Sequence, residues 1–129
     1  MKVFAVRLQP DQDLKQSLQE FVETHQIQAG FMLSAVGSLK QANVRFAGQD
    51  RCQRYQANFE IVSLVGTLSI NGSHLHISLA DQQGTVLGGH LSDGCIINTT
   101  AEIVVGASQN HRFKRVFDGQ TGYLELEIN

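Results

Sequence analysis

Apolar side chains alternate with polar or small ones at the start of the chain. Phe4, Val6 and Leu8 fall on one side and Val3, Ala5 and Arg7 on the other, which predicts a strand over Lys2–Leu8. Pro10 and Asp11 end it. Beyond them the period lengthens: Leu14, Leu18, Phe21 and Val22 recur at i, i+4, i+7 and i+8, the spacing of one amphipathic helix. Asp11 or Asp13 can accept hydrogen bonds from the unpaired amides of its first turn, and the helix is expected to stop near Gly30. Strand signals follow at residues 31–39 and 42–47, then in a long β-rich run over 55–70.

Asn71-Gly72 separates two alternating runs. Both residues tolerate positive φ, so the pair predicts a type I′ hairpin turn, with residues 60–70 antiparallel to 73–80. Turn chemistry at residues 81–84 and 92–94 sets off further strands over 85–91 and 95–106. Residues 112–117 and 123–128, around Asp118-Gly119, close the chain as two more. The expected fold is a single-domain α/β (α+β) protein: a largely antiparallel sheet with one principal helix packed on it. At 129 residues it is long enough to bury roughly two-thirds of its unfolded surface, with no need of disulfides.

Composition supports an ordinary globular chain, with 42% hydrophobic and 17% charged residues. Ten Lys and Arg against twelve Asp and Glu give a formal charge of -2, so no overall field draws the protein to a phosphate backbone. DNA as a partner therefore has no support from charge. The apolar run at the N-terminus is too short for a signal peptide and no window approaches the roughly 20 apolar residues of a membrane span. A cytoplasmic protein without membrane contact is expected. Cys52 and Cys95 have no CxxC spacing and are expected as free thiols.

The chemistry-bearing pattern is Ser73-His74-Leu75-His76-Ile77-Ser78-Leu79. On a strand His74, His76 and Ser78 share one face, and Leu75, Ile77 and Leu79 turn to the core. Two imidazoles at i and i+2 can bind one ion if a neighbouring strand supplies a third ligand. His90 is the candidate, because the hairpin after residues 81–84 can lay it beside that strand. Gly88 and Gly89 precede it, and glycines within a strand mark a bulge or a close approach by another group. Three neutral histidines leave a fourth position open for water, a ligand or a carboxylate. The same three residues can also simply be solvated.

Three neighbours are candidates with ordinary alternatives. Glu102 can ligate, orient an imidazole or act as a base, or it can be an exposed-face carboxylate. Glu60, at the head of an apolar run, is a solvated strand end or a partner to an imidazole. Cys95 follows His90 by five residues and is either near the ion or a small buried hydrophobe. Arg112, Lys114 and Arg115 with Phe113 and Phe117 are the one basic and aromatic cluster, too short to define a nucleic-acid surface. No GxSxG, Walker-type loop or GxGxxG occurs, so nothing here names an enzymatic reaction.

The segments GFMLSAVGSL, FEIVSLVGTL, HLHISLADQQGTVLGGHL, TAEIVVG and FKRVFDGQTGYLELEI together resemble the plant-and-prokaryote-conserved (PPC) domain family, over nearly the whole chain. The resemblance implies a homotrimer with sites near subunit boundaries. It also implies that His74, His76 and His90 are ligands for a divalent metal, zinc foremost, with Glu102 of the TAE motif as a neighbour. Members of the family are often described as DNA-binding, the plant ones carrying AT-hooks ahead of the domain. The sequence opens directly in its first strand without an Arg-Gly-Arg-Pro hook, so a DNA-binding regulator would rest on fold analogy alone. The expected function is thus a metal-binding trimeric domain taking a small polar ligand, with a regulator or an oligomeric scaffold as alternatives.

Overall fold

In a computed structural model that describes residues 1–129, the chain runs β1 (Lys2–Leu8), α1 (Leu14–Thr24), β2 (Gly30–Arg45), β3 (Cys52–Ser69), β4 (Gly72–Ala80), β5 (Val86–Leu91), β6 (Ile96–Ala107), β7 (Phe113–Phe117) and β8 (Leu124–Ile128). Six strands form one antiparallel sheet in the order β1-β6-β2-β3-β4-β5, and β7 and β8 form a separate two-stranded sheet. No helix is long and apolar enough to cross a membrane.

Of the two aspartates considered as helix cap, Asp13 holds the position: its Oδ1 accepts the Gln16 amide at 3.1 Å while its Oδ2 accepts the Gly94 amide at 2.7 Å. One carboxylate therefore caps the helix and ties it to the turn before β6. Asp11 instead takes positive φ and pairs with Lys40. The helix ends at Thr24, earlier than Gly30, because the chain turns at Gln26 with φ 51°. Leu14, Leu18 and Val22 are fully buried, as their spacing requires, and join a core cluster with Leu39, Leu79, Leu91, Ile97 and Ile103.

The two strands expected at residues 31–39 and 42–47 are one strand, β2, with a register shift between Leu39 and Gln41. The shift lets a long strand bend and serve two neighbours along one edge: β6 from Gly30 to Gln41, then β5 at Val44 and Arg45. Because β5 also pairs with β4, strands β2 to β5 curl into a closed ring. Gly88 and Gly89 make the closure sterically feasible. A β-carbon on Gly89 would stand 2.4 Å from the Arg45 carbonyl oxygen, and one on Gly88 2.5 Å from that of Ile77. The glycines thus mark close approach, and β4 and β5 pair without a bulge.

The β3–β4 hairpin forms, but its turn residues are Ile70 and Asn71. Only Gly72 takes positive φ, so the turn is not the type I′ pair expected at Asn71-Gly72. The Ser69 hydroxyl accepts the Asn71 amide at 3.0 Å and holds this earlier turn. The slip displaces each cross-strand partner by two residues, and a shift of two leaves every side chain on its expected face.

Candidate metal centre

His74 and His76 stand on the outer face of β4, opposite the buried Leu75, Ile77 and Leu79. His76 pairs directly with His90 across β4 and β5, and His90 pairs with Arg45 across the ring closure. Directly opposed residues project to the same side of a sheet. The register therefore sets Thr67, His74, His76, His90 and Arg45 on one face.

One coordinating atom from each of His74, His76 and His90 lies within 4.8 Å of the others. The ring centroids are 5.0 to 5.9 Å apart. Tetrahedral coordination at ~2.0–2.1 Å places ligand nitrogens about 3.4 Å from one another, so from the 4.8 Å limit the rings close by no more than about 1.4 Å, within reach of side-chain rotation. His90 Nδ1 is buried and has no hydrogen-bond partner. Such an orphan is costly when nothing satisfies it, and a metal ion bound at that nitrogen would satisfy it. The residues present fit a divalent ion.

Burial and neighbouring cations hold the His74 and His90 imidazoles toward the neutral form. Partial burial pushes His90 down to about 4, with Arg45 and His74 adding repulsion. His74 is also lowered, by burial first and then by His76 and Arg115. Neutral rings are the form that ligates. The unfolded chain takes up protons on these residues near pH 6.5, whereas folded His90 resists them until about pH 4. Their contribution to stability is complete above about pH 6.5 and falls away as the pH drops toward 4. The urea midpoint of the metal-free protein is expected to be lower at pH 5 than at pH 7, and His90→Gln should flatten that part of the profile.

The remaining candidates lie elsewhere in the chain. Cys95 is fully buried in the core, bonded through its Sγ to the Asn43 backbone, and burial raises its thiol to about 11. It is the small buried hydrophobe of the two alternatives. Glu60 is exposed on β3 opposite Ser38 and Ala80, whereas the strand's contact with the histidines is at Val65 and Thr67. Glu102 is exposed on β6 opposite Val36. His90 meets β2 nine residues further on, at Arg45, which separates Glu102 from it by about 30 Å of strand. Alternation shows which side a carboxylate faces but not how far along the sheet it sits.

Residues not foreseen from the pattern complete the site. The β7–β8 hairpin is anchored where the Phe113 amide donates to the Gln28 carbonyl and the Phe113 carbonyl accepts from Ser69 and Asn71. It brings Arg115 and Glu125 to the histidines, and Arg115 donates to Thr67 Oγ1 at 2.8 Å. The available signal was Arg115 sharing its strand face with Phe113, which is half-buried: a guanidinium on such a face calls for a partner. A cavity of about 650 Å³ adjoins the cluster, lined by His74, His90, Arg45, Arg115, Lys15 and Tyr123 among others. His25 is exposed and its Nδ1 donates to the Phe21 carbonyl, and His111 bonds Ser108, both away from this site.

A curled antiparallel sheet with one helix and an outward histidine triad defines a small α+β domain with a candidate ligand-binding centre. The chain belongs to the Plants and Prokaryotes Conserved (PCC) domain family, whose model matches residues 1–109. It is 51% identical over 128 residues to the protein named Bifunctional protein GlmU of Synechococcus sp. (strain JA-3-3Ab), a match covering 99% of this chain and 21% of that one. The chain thus spans about one-fifth of the length of the curated relatives it matches. Among solved structures, a hypothetical protein from Salmonella enterica is 38% identical with a TM-score of 0.97, covering 99% of this chain and 93% of its own. A protein of Archaeoglobus fulgidus described as metal-containing is 29% identical with a TM-score of 0.82, over 98% and 94% of the two chains.

Proposed function

We propose that this chain binds a divalent metal ion through His74, His76 and His90 as a homotrimeric domain, and that a small polar ligand occupies the adjoining cavity. The observation that carries the reading is the convergence of three histidine ligand atoms within 4.8 Å, one ring holding a buried nitrogen without a partner. The metal-containing description of the archaeal relative supports it. Zinc is the first choice, because three histidines and one free position are a common zinc arrangement. Other divalent ions compete for an all-imidazole set.

When bound, such an ion polarises an oxygen donor of a ligand at its free position. The chain's own residues do the rest: the register holds the rings, and the β7–β8 hairpin covers one flank of the site. A trimer has exposed apolar side chains of the outer face to draw on, Val3, Val36, Val62 and Val65 among them. Protein purified without an affinity tag is expected to carry close to one divalent ion per chain by elemental analysis. Trace metal that cannot be restored by zinc or cobalt would overturn the reading. Light scattering on the same sample tests the trimer.

A further inference from the structure

Lys15, Arg45 and Arg115 line the cavity beside His74 and His90. They come from three separate elements, α1, β2 and β7, and each is half-buried. None has a carboxylate at ion-pair distance, since the protein's single ion pair joins Lys40 to Asp11. The two arginines bond neutral oxygens: Arg115 donates to Thr67 Oγ1 at 2.8 Å, and Arg45 Nη1 donates to the Gln49 carbonyl at 3.3 Å. Asp50 and Glu125 also line the cavity without pairing to any of the three. Bringing half-buried guanidinium groups together in one cavity is unfavourable unless an anion compensates. Their planar forks match the paired oxygens of a carboxylate or phosphate.

We propose that Arg45 and Arg115, assisted by Lys15, form an oxyanion subsite beside the histidine triad, and that the cavity's ligand is a small molecule bearing a carboxylate or phosphate group. The proposal rests on the metal reading only for the placement of the anion next to an ion; the cations are in position independently of it. The volume of about 650 Å³ falls within the roughly 300–1,000 Å³ typical of small-molecule sites. A nucleic-acid backbone is met by a basic patch or stripe spread over a face, whereas these cations converge on a concavity.

The test is calorimetric titration of the cobalt-loaded full chain with inorganic phosphate and, separately, with succinate, in the wild type and in Arg45→Gln and Arg115→Gln. Visible absorption of cobalt reports on the histidines independently, and far-ultraviolet dichroism reports on folding. Saturable binding of at least one anion, weakened about 10-fold or more by either substitution, is expected, because a charge-assisted pair contributes about that much. The anion that binds distinguishes a carboxylate ligand from a phosphate one. Arg45→Lys and Arg115→Lys, which keep the charge and serve if the glutamine variants misfold, should weaken binding less than the loss of charge does. Equal binding by wild type and all variants would overturn the subsite. So would a wild type that binds neither anion, or one that binds a short DNA duplex but neither small anion. If cobalt is not taken up, the metal reading fails by itself. The same titrations on metal-free protein then decide the subsite: arginine-dependent anion binding upholds it, and none overturns it.

Discussion

Replacing His76 with alanine is expected to lower metal affinity by more than about 100-fold while leaving the fold intact. Changes to residues that merely support a metal ligand cost about 10–100-fold, and loss of one of three protein ligands should exceed that. His76 is exposed on the outer face of β4, where it pairs with Val65 on one side and His90 on the other. Its removal leaves no core cavity, so unfolding free energy should stay within about 0.5 kcal/mol of wild type. Cobalt titration followed by absorption, beside a urea melt of the metal-free protein, checks both parts. An unfolded His76→Ala protein would assign the histidine a structural role and remove the main support for the metal centre. His90 is a less clean probe, because it is half-buried next to the buried Leu91.

Gly89→Val should damage both the fold and the site without touching a ligand. A β-carbon there meets the Arg45 carbonyl oxygen at 2.4 Å, a backbone atom with no rotamer by which to yield. Relief requires β5 to separate from β2, at a cost of about 1–3 kcal/mol or more. His90 is the next residue and pairs with Arg45 through this same contact. The variant should therefore lose cobalt affinity as well as urea resistance. Gly119→Ala is the control: its β-carbon meets nothing within 4 Å and its φ is not positive, so both readouts should match wild type. Wild-type behaviour in Gly89→Val would mean that the β2–β5 contact does not hold His90 in place.

The histidine cluster was legible because it depends on parity. His74 and His76 are two apart on a strand whose intervening residues are core-forming, and a hairpin of either of two turn geometries leaves them facing outward. That is why the displaced turn at Ile70 and Asn71 did no harm to the expected site. Distance was less legible. Glu102 has the right residue type and the right kind of strand, yet β6 lies on the β1 side of the sheet, far along β2 from His90. Arg45 shows the converse: nothing near it in sequence marks a site, and it enters only because β2 bends and closes on β5.

Alternation, helical period, turn residues and the spacing of His74 and His76 by themselves determined the elements apart from the joining of two expected strands into β2, together with the single helix, the core face and the histidine side of β4. These are local consequences of side-chain size and polarity, set by geometry within a few residues. Only the tertiary structure decided that β6 lies between β1 and β2, that β5 closes on β2 at Arg45, and that the β7–β8 hairpin delivers Arg115. The reason is that backbone hydrogen bonds are nearly indifferent to side-chain identity. Which distant strands become neighbours is settled by packing the whole core, and at Gly89 by two strands approaching where no β-carbon fits.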